Sequence, residues 1–121
     1  AQLHQVLSKR SAPIKSLLLD QTLFAGVGNW IADEVLFQAR ISPHRSANDL
    51  SLADIKRLCS VLSEILEQAV AVSADSEKFP PTWLFHHRWG GKKGTDSIGG
   101  SKIVRDTVGG RTTAWVPGHQ K

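Results

Sequence analysis

The chain has 121 residues, 40% of them hydrophobic and 21% charged, which suits one domain or two small subdomains around one modest core. No apolar run approaches the roughly 20 residues of a membrane span, and no secretory signal is visible at Ala1. The formal net charge of +4 and the pI near 9.6 permit a polyanionic partner, and the excess lies in the tail, with 8 basic against 9 acidic residues through residue 80 and 7 against 2 beyond it. The single cysteine, Cys59, excludes an internal disulfide and points to an intracellular setting. The complete absence of methionine suggests a processed product or a piece of a longer protein.

The first eighty residues read as helices. Leu3, Val6 and Leu7 stand at helical spacing before Ser11 interrupts. With Ser11 as N-cap and Pro13 in the first turn, where its missing N–H costs nothing, a second helix is expected over Pro13 to Asp20. A loop with Gly26 and Gly28 follows, then a helix capped by Asn29 that carries Ala32, Val35, Leu36 and Ala39 on one face and stops near Ser42-Pro43. Ser51 and Asp54 form a start signal for the strongest helix, on which Ile55, Leu58, Cys59, Leu62, Ile65, Leu66 and Ala69 hold one face for four turns.

Beyond Ala71 the character changes. Residues 74–82 are polar, with paired prolines, and read as a surface loop. Trp83 to Trp89 reads as a strand. After a Gly-rich basic stretch, Lys102 to Thr107 and Thr112 to Val116 flank Val108-Gly109-Gly110-Arg111, a hairpin signature because Gly-Gly supplies positive φ. The expected organisation is a helical domain over 1–72, a loop over 73–82 and a β-rich finger over 83–121: mainly α with a small antiparallel β part.

Two constellations bear on function. Gly26 and Gly28 let the backbone approach a ligand, the helix beginning at Asn29 turns its positive dipole end outward, and Lys15 adds a charge, together an anion site; the glycines equally suit a tight turn between packed helices. Arg111 at the hairpin offers a planar fork for phosphate or a base edge, or is a solvated turn residue. His86, His87 and Arg88 could touch phosphate or pack in a sheet. Trp30 and Trp115 are read as packing residues, and Asp33-Glu34 as first-turn acids that complement the helix dipole.

The run Ile14-Lys15-Ser16-Leu17-Leu18-Leu19-Asp20-Gln21, a five-residue connection, and Val27-Gly28-Asn29-Trp30-Ile31-Ala32-Asp33-Glu34 resembles the helix-two-turn-helix element of the formamidopyrimidine-DNA glycosylase and endonuclease VIII family. Gly110-Arg111-Thr112-Thr113-Ala114-Trp115-Val116-Pro117 resembles that family's finger, and the likeness runs from about Leu3 to Gln120. It implies that Lys15, Asn29 and Arg111 contact double-stranded DNA containing a damaged base, with Gly26, Gly28, His86, His87 and Arg88 as further contacts. With one cysteine and no C-x-x-C or H-x-x-x-H spacing, the finger is expected to fold without zinc, as in the family's plant and fungal branch, and no cofactor is expected.

In that family a proline at the very N-terminus attacks the sugar of a flipped nucleotide and a neighbouring glutamate assists. No proline precedes Pro13, so the catalytic N-terminal domain would precede Ala1, and the chain alone is expected to bind DNA as a monomer, in the nucleus, without excising a base. Two alternatives stand beside this reading, the first from another functional class. An RNA-binding helix-two-turn-helix module of ribosomal type shares the G-[IV]-G turn and basic tail. A helix-hairpin-helix glycosylase needs a catalytic lysine where Asn29-Trp30 stands.

Overall fold

A computed structural model of the chain describes residues 2–20, 24, 27–72, 76–80, 83–84, 97–98 and 101–121. Among these residues the helices are α1 (Gln2–Leu7), α2 (Ile14–Leu18), α3 (Asn29–Ala39) and α4 (Leu52–Ala71), and the strands are β1 (Ser97–Ile98), β2 (Ser101–Lys102), β3 (Val104–Val108) and β4 (Arg111–Trp115). Strands β1 and β2 pair antiparallel, as do β3 and β4. This is the expected mainly helical architecture with a small antiparallel part. No helix among the described residues is long and apolar enough to cross a membrane.

The longest helix forms where its start signal lies. The Asp54 N–H donates to Ser51 Oγ and the Ser51 N–H donates to Asp54 Oδ2, both at 3.0 Å, so two orphan donors of the first turn are satisfied reciprocally. Ile55, Leu58 and Ile65 of α4 enter a core shared with Leu7 of α1, Leu17 and Leu18 of α2, and Val35, Leu36 and Ala39 of α3. Leu66, expected on that face, is 37% exposed and turns outward with Val70. An aromatic series closes the core, Trp30 meeting Phe79 at 5.4 Å between ring centroids and Phe79 meeting Trp83 at 5.0 Å. Trp30 is thus a packing residue, as its position predicted.

Three boundaries differ from the sequence reading. Helix α2 begins at Ile14 after Pro13 rather than at a Ser11 cap, because residues 10–15 pair with residues 43–48: Ile14 N–H donates to Arg45 O at 2.8 Å, Ala47 N–H to Ala12 O at 3.0 Å and Asn48 N–H to Arg10 O at 2.9 Å. The N-cap of α3 is Gly28, and Asn29 is its first helical residue, with its side chain engaged elsewhere. That helix ends at Ala39, earlier than Ser42-Pro43. Arg40 takes the left-handed conformation (φ 63°), and the Ile41 N–H reaches back to Leu36 O at 3.0 Å, closing the last turn.

The β3–β4 hairpin turns on Gly109 (φ 61°) and Gly110 (φ 77°), two consecutive positive values that a two-residue turn matched to strand twist requires. Register follows, Val108 opposite Arg111 and Asp106 opposite Thr113. A second, smaller core of Leu84, Ile103, Ala114 and Val116 is backed by Phe37 of α3, which ties the finger to the helices. Of the strand expected over 83–89, only Trp83 and Leu84 lie within the described residues. Both are buried and neither belongs to a strand.

A candidate nucleic-acid interface between helix α3 and the finger

Asp33 and Glu34 decide how the finger sits. The sequence reading gave these carboxylates to the helix dipole, but they occupy the middle of α3, beyond its first turn, and both are buried. Asp33 Oδ1 lies 2.7 Å from Lys15 Nζ, and Asp33 Oδ2 accepts the backbone N–H of Ala114 in β4 at 3.2 Å. Glu34 Oε2 accepts the N–H of Leu84 at 3.0 Å and the Gln38 amide at 2.9 Å. Buried carboxylates are stable only when paired or hydrogen-bonded, and here each takes its partners from the segment it anchors.

Lys15 was expected to face phosphate. The structure instead buries it fully, with 0% exposure, because α2 packs against α3 and the finger closes over both. Its ammonium donates to Thr113 Oγ1 at 2.7 Å and to Thr112 O at 3.0 Å besides pairing with Asp33. The motif lysine is therefore an internal crosslink between α2, α3 and β4, not a surface cation.

Asn29 stands at the N-terminus of α3, where the first backbone N–H groups lack intrahelical acceptors and the dipole is positive. Its Nδ2 donates to Thr112 O at 3.0 Å, so Lys15 and Asn29 converge on one carbonyl. Gly28 just before it is exposed, and a β-carbon there would meet nothing within 4 Å, so the approach is open. Arg111, one residue before Thr112, is exposed at the start of β4. An exposed arginine and an exposed helix N-terminus are thereby held on adjoining backbone. Gly26, His86, His87 and Arg88 lie outside the described residues.

The far side of the finger is fixed by its C-terminal end. Gln120, only 2% exposed, accepts the Val116 N–H at 2.7 Å and donates to Ile41 O at 3.0 Å, while the Lys121 N–H donates to Arg40 O at 3.0 Å. At the rim, Asp106 Oδ2 lies 2.8 Å from His44 Nε2 and accepts Trp115 Nε1–H at 3.2 Å. Cys59 lies on α4 against the helical core, and burial pushes its thiol above its ordinary value. Among the described residues no group of three or more His, Cys, Asp or Glu side chains converges as metal ligands would.

The residues that join the two parts are Asp33 and Glu34, which the sequence reading assigned to the helix dipole, and Thr112, Thr113 and Gln120, which it did not single out. The one local hint was that the two acids stand between the apolar positions Ala32 and Val35.

Helices α2 and α3, the latter capped by Gly28, locked onto a β-hairpin define a helix-two-turn-helix module with an attached finger. The family model for the formamidopyrimidine-DNA glycosylase H2TH domain matches residues 1–80, and the chain belongs to that family. A formamidopyrimidine-DNA glycosylase of Arabidopsis thaliana is 50% identical over 115 residues, which are 95% of this chain and 29% of the relative. One from Prochlorococcus marinus (strain NATL2A) is 35% identical over 127 residues, covering 98% of this chain and 45% of the relative. Among solved structures, Lactococcus lactis Fpg (MutM) in complex with DNA containing FAPY-dG superposes with a TM-score of 0.83 at 32% identity, covering 99% of this chain and 46% of that one. MutM in complex with DNA containing carbocyclic 8-oxo-G gives 0.83 at 34% identity, covering 99% and 45%. The chain spans less than half the length of each. These likenesses give no support to the ribosomal RNA-binding alternative.

Proposed function

We propose that this chain is the DNA-binding C-terminal region of a base-excision repair DNA glycosylase/AP lyase acting on oxidised purines of the formamidopyrimidine and 8-oxoguanine type. The observation that carries this reading is the placement of Arg111 beside the N-terminus of α3, with Asn29 Nδ2 bonded to Thr112 O at 3.0 Å. Such an arrangement offers backbone N–H groups, an amide and a guanidinium fork to a phosphate run on one strand. The DNA named in the complexes of the similar structures supports the same partner. Gly28 leaves room for close backbone approach, and Gly26, His86, His87 and Arg88 are proposed as additional contacts. Lys15 enters this reading from behind, as a support.

The chain grips one damaged duplex as a monomer, in the nucleus, and the excision chemistry is assigned to an N-terminal catalytic domain of the full-length protein. Binding of a fluorescent duplex with a central abasic-site analogue tests this reading. Affinity should fall steeply between about 50 and 200 mM salt, and Asn29→Ala and Arg111→Ala should each weaken it about tenfold. Unchanged affinity in both variants would sink the proposed contacts. A borohydride-trapped adduct between abasic DNA and this chain would overturn the assignment of chemistry elsewhere.

A further inference from the structure

The Lys15–Asp33 pair is a costly feature for a small core. Both side chains are 0% exposed, and removing two charges from water is repaid only if geometry and hydrogen bonds are good. An apolar pair would hold α2 against α3 as well. What an apolar pair cannot do is reach across to the finger: Lys15 Nζ donates to Thr112 O at 3.0 Å and Thr113 Oγ1 at 2.7 Å, and Asp33 Oδ2 accepts Ala114 N–H at 3.2 Å. Three consecutive residues of β4 are thus held by one ion pair. The first of them, Thr112, also accepts from Asn29 and directly follows Arg111. Among the described residues Asn29 Oδ1 is shielded and has no hydrogen-bond partner, so the contact to Thr112 O is what orients the amide.

We propose that Lys15 and Asp33 are positioning residues that fix the spacing between Asn29 and Arg111, making the helix N-terminus and the finger arginine grip DNA as one unit rather than as two independent contacts. The inference rests on the DNA-binding reading for its consequence, but the tether itself is a property of the protein alone. Asn29 and Arg111 should therefore be energetically coupled in binding, and the coupling should depend on a pair that touches no DNA.

The test uses the full 121-residue chain and the double variant Lys15→Met/Asp33→Asn, which removes the charges while leaving an oxygen to accept from Ala114. Without DNA, amide exchange at Ala114 should quicken about tenfold or more while Leu58 in α4 is unchanged, because only the finger's attachment is loosened. With an abasic-analogue duplex, Asn29→Ala and Arg111→Ala should be non-additive in the natural chain and additive in the double-variant background. Unchanged exchange at Ala114, or coupling that survives loss of the pair, overturns the proposal. Should the double variant fail to fold, Thr113→Val removes one of the ammonium's acceptors at constant shape; it should give the same two changes, smaller in size, and its failure to do so counts equally against the tether. If the natural chain binds no duplex, the DNA reading fails, and the exchange measurement still decides whether the pair holds the finger.

Discussion

Gly109, at the turn of the finger hairpin, lies against the side chain of Ser16 in α2: a β-carbon built on Gly109 would collide with Ser16 Oγ. The finger therefore touches the helical part at its very tip as well as along β4. Two demands meet at this position, positive φ (61°) and absence of a side chain, and only glycine satisfies both.

Gly109→Ala should consequently be much worse than Gly110→Ala. Position 110 has φ 77° but open space around a β-carbon, so alanine there meets only the left-handed penalty of about 1–2 kcal/mol. At 109 the clash is added, and the turn must lift from α2 or Ser16 must rotate away. Thermal melts of the two variants should differ, and Gly109→Ala alone should weaken duplex binding by displacing Arg111. Equal behaviour of the two would show that the Ser16 contact is dispensable.

Gln120 closes the other end. Replacing it by leucine keeps the bulk but strands the Val116 N–H and the Ile41 carbonyl in a buried place. Each unsatisfied buried group costs about 1–3 kcal/mol, so Gln120→Leu should lower stability by roughly 2 kcal/mol or more. Urea titration should show a lower midpoint with an unchanged slope, since the native fold is kept.

The capping box of α4 gives a pH-dependent prediction. Burial by itself would raise the Asp54 pKa, but the Ser51 N–H, the Arg57 guanidinium, the Ser51 hydroxyl and the nearby Arg45 charge together outweigh it and hold the carboxyl below its ordinary value. A depressed folded pKa means that the contribution is present above the ordinary carboxylate range, near about pH 4, and is lost as pH falls through the folded value. Melting temperature should therefore drop on acidification below about pH 4, and drop less in Asp54→Asn. Ser51→Ala should cost about 1 kcal/mol at neutral pH.

What could be read from the sequence divides along physical lines. The α4 start was legible because a capping box is local, needing only Ser51 and Asp54 three positions apart. The hairpin was legible because Gly109-Gly110 meets a backbone requirement that few other pairs meet. Lys15 was found as a residue of consequence, but its direction was misread, since burial depends on β4, which is about a hundred residues away in sequence. The same holds for Asp33 and Glu34: on a helix alone they are dipole complements, and only the docked finger supplies the N–H groups of Ala114 and Leu84. Long-range hydrogen-bond partners leave no periodicity.

Arg111 offers the sharpest separation between grip and scaffold. It is exposed, and truncating it leaves no buried group behind, so Arg111→Ala should alter folding stability by no more than about 0.5 kcal/mol. If its guanidinium neutralises one phosphate, the slope of log affinity against log salt should become shallower by about 1. Arg111→Lys then distinguishes charge from shape. Lysine retains the counterion effect and should restore the salt slope, but an ammonium cannot bridge two oxygens as the planar fork does, so affinity should stay below that of the natural chain. Full recovery of affinity by lysine would mean that Arg111 acts as a point charge and that the geometry of the fork, held in place by the Thr112 carbonyl behind it, contributes nothing to the grip.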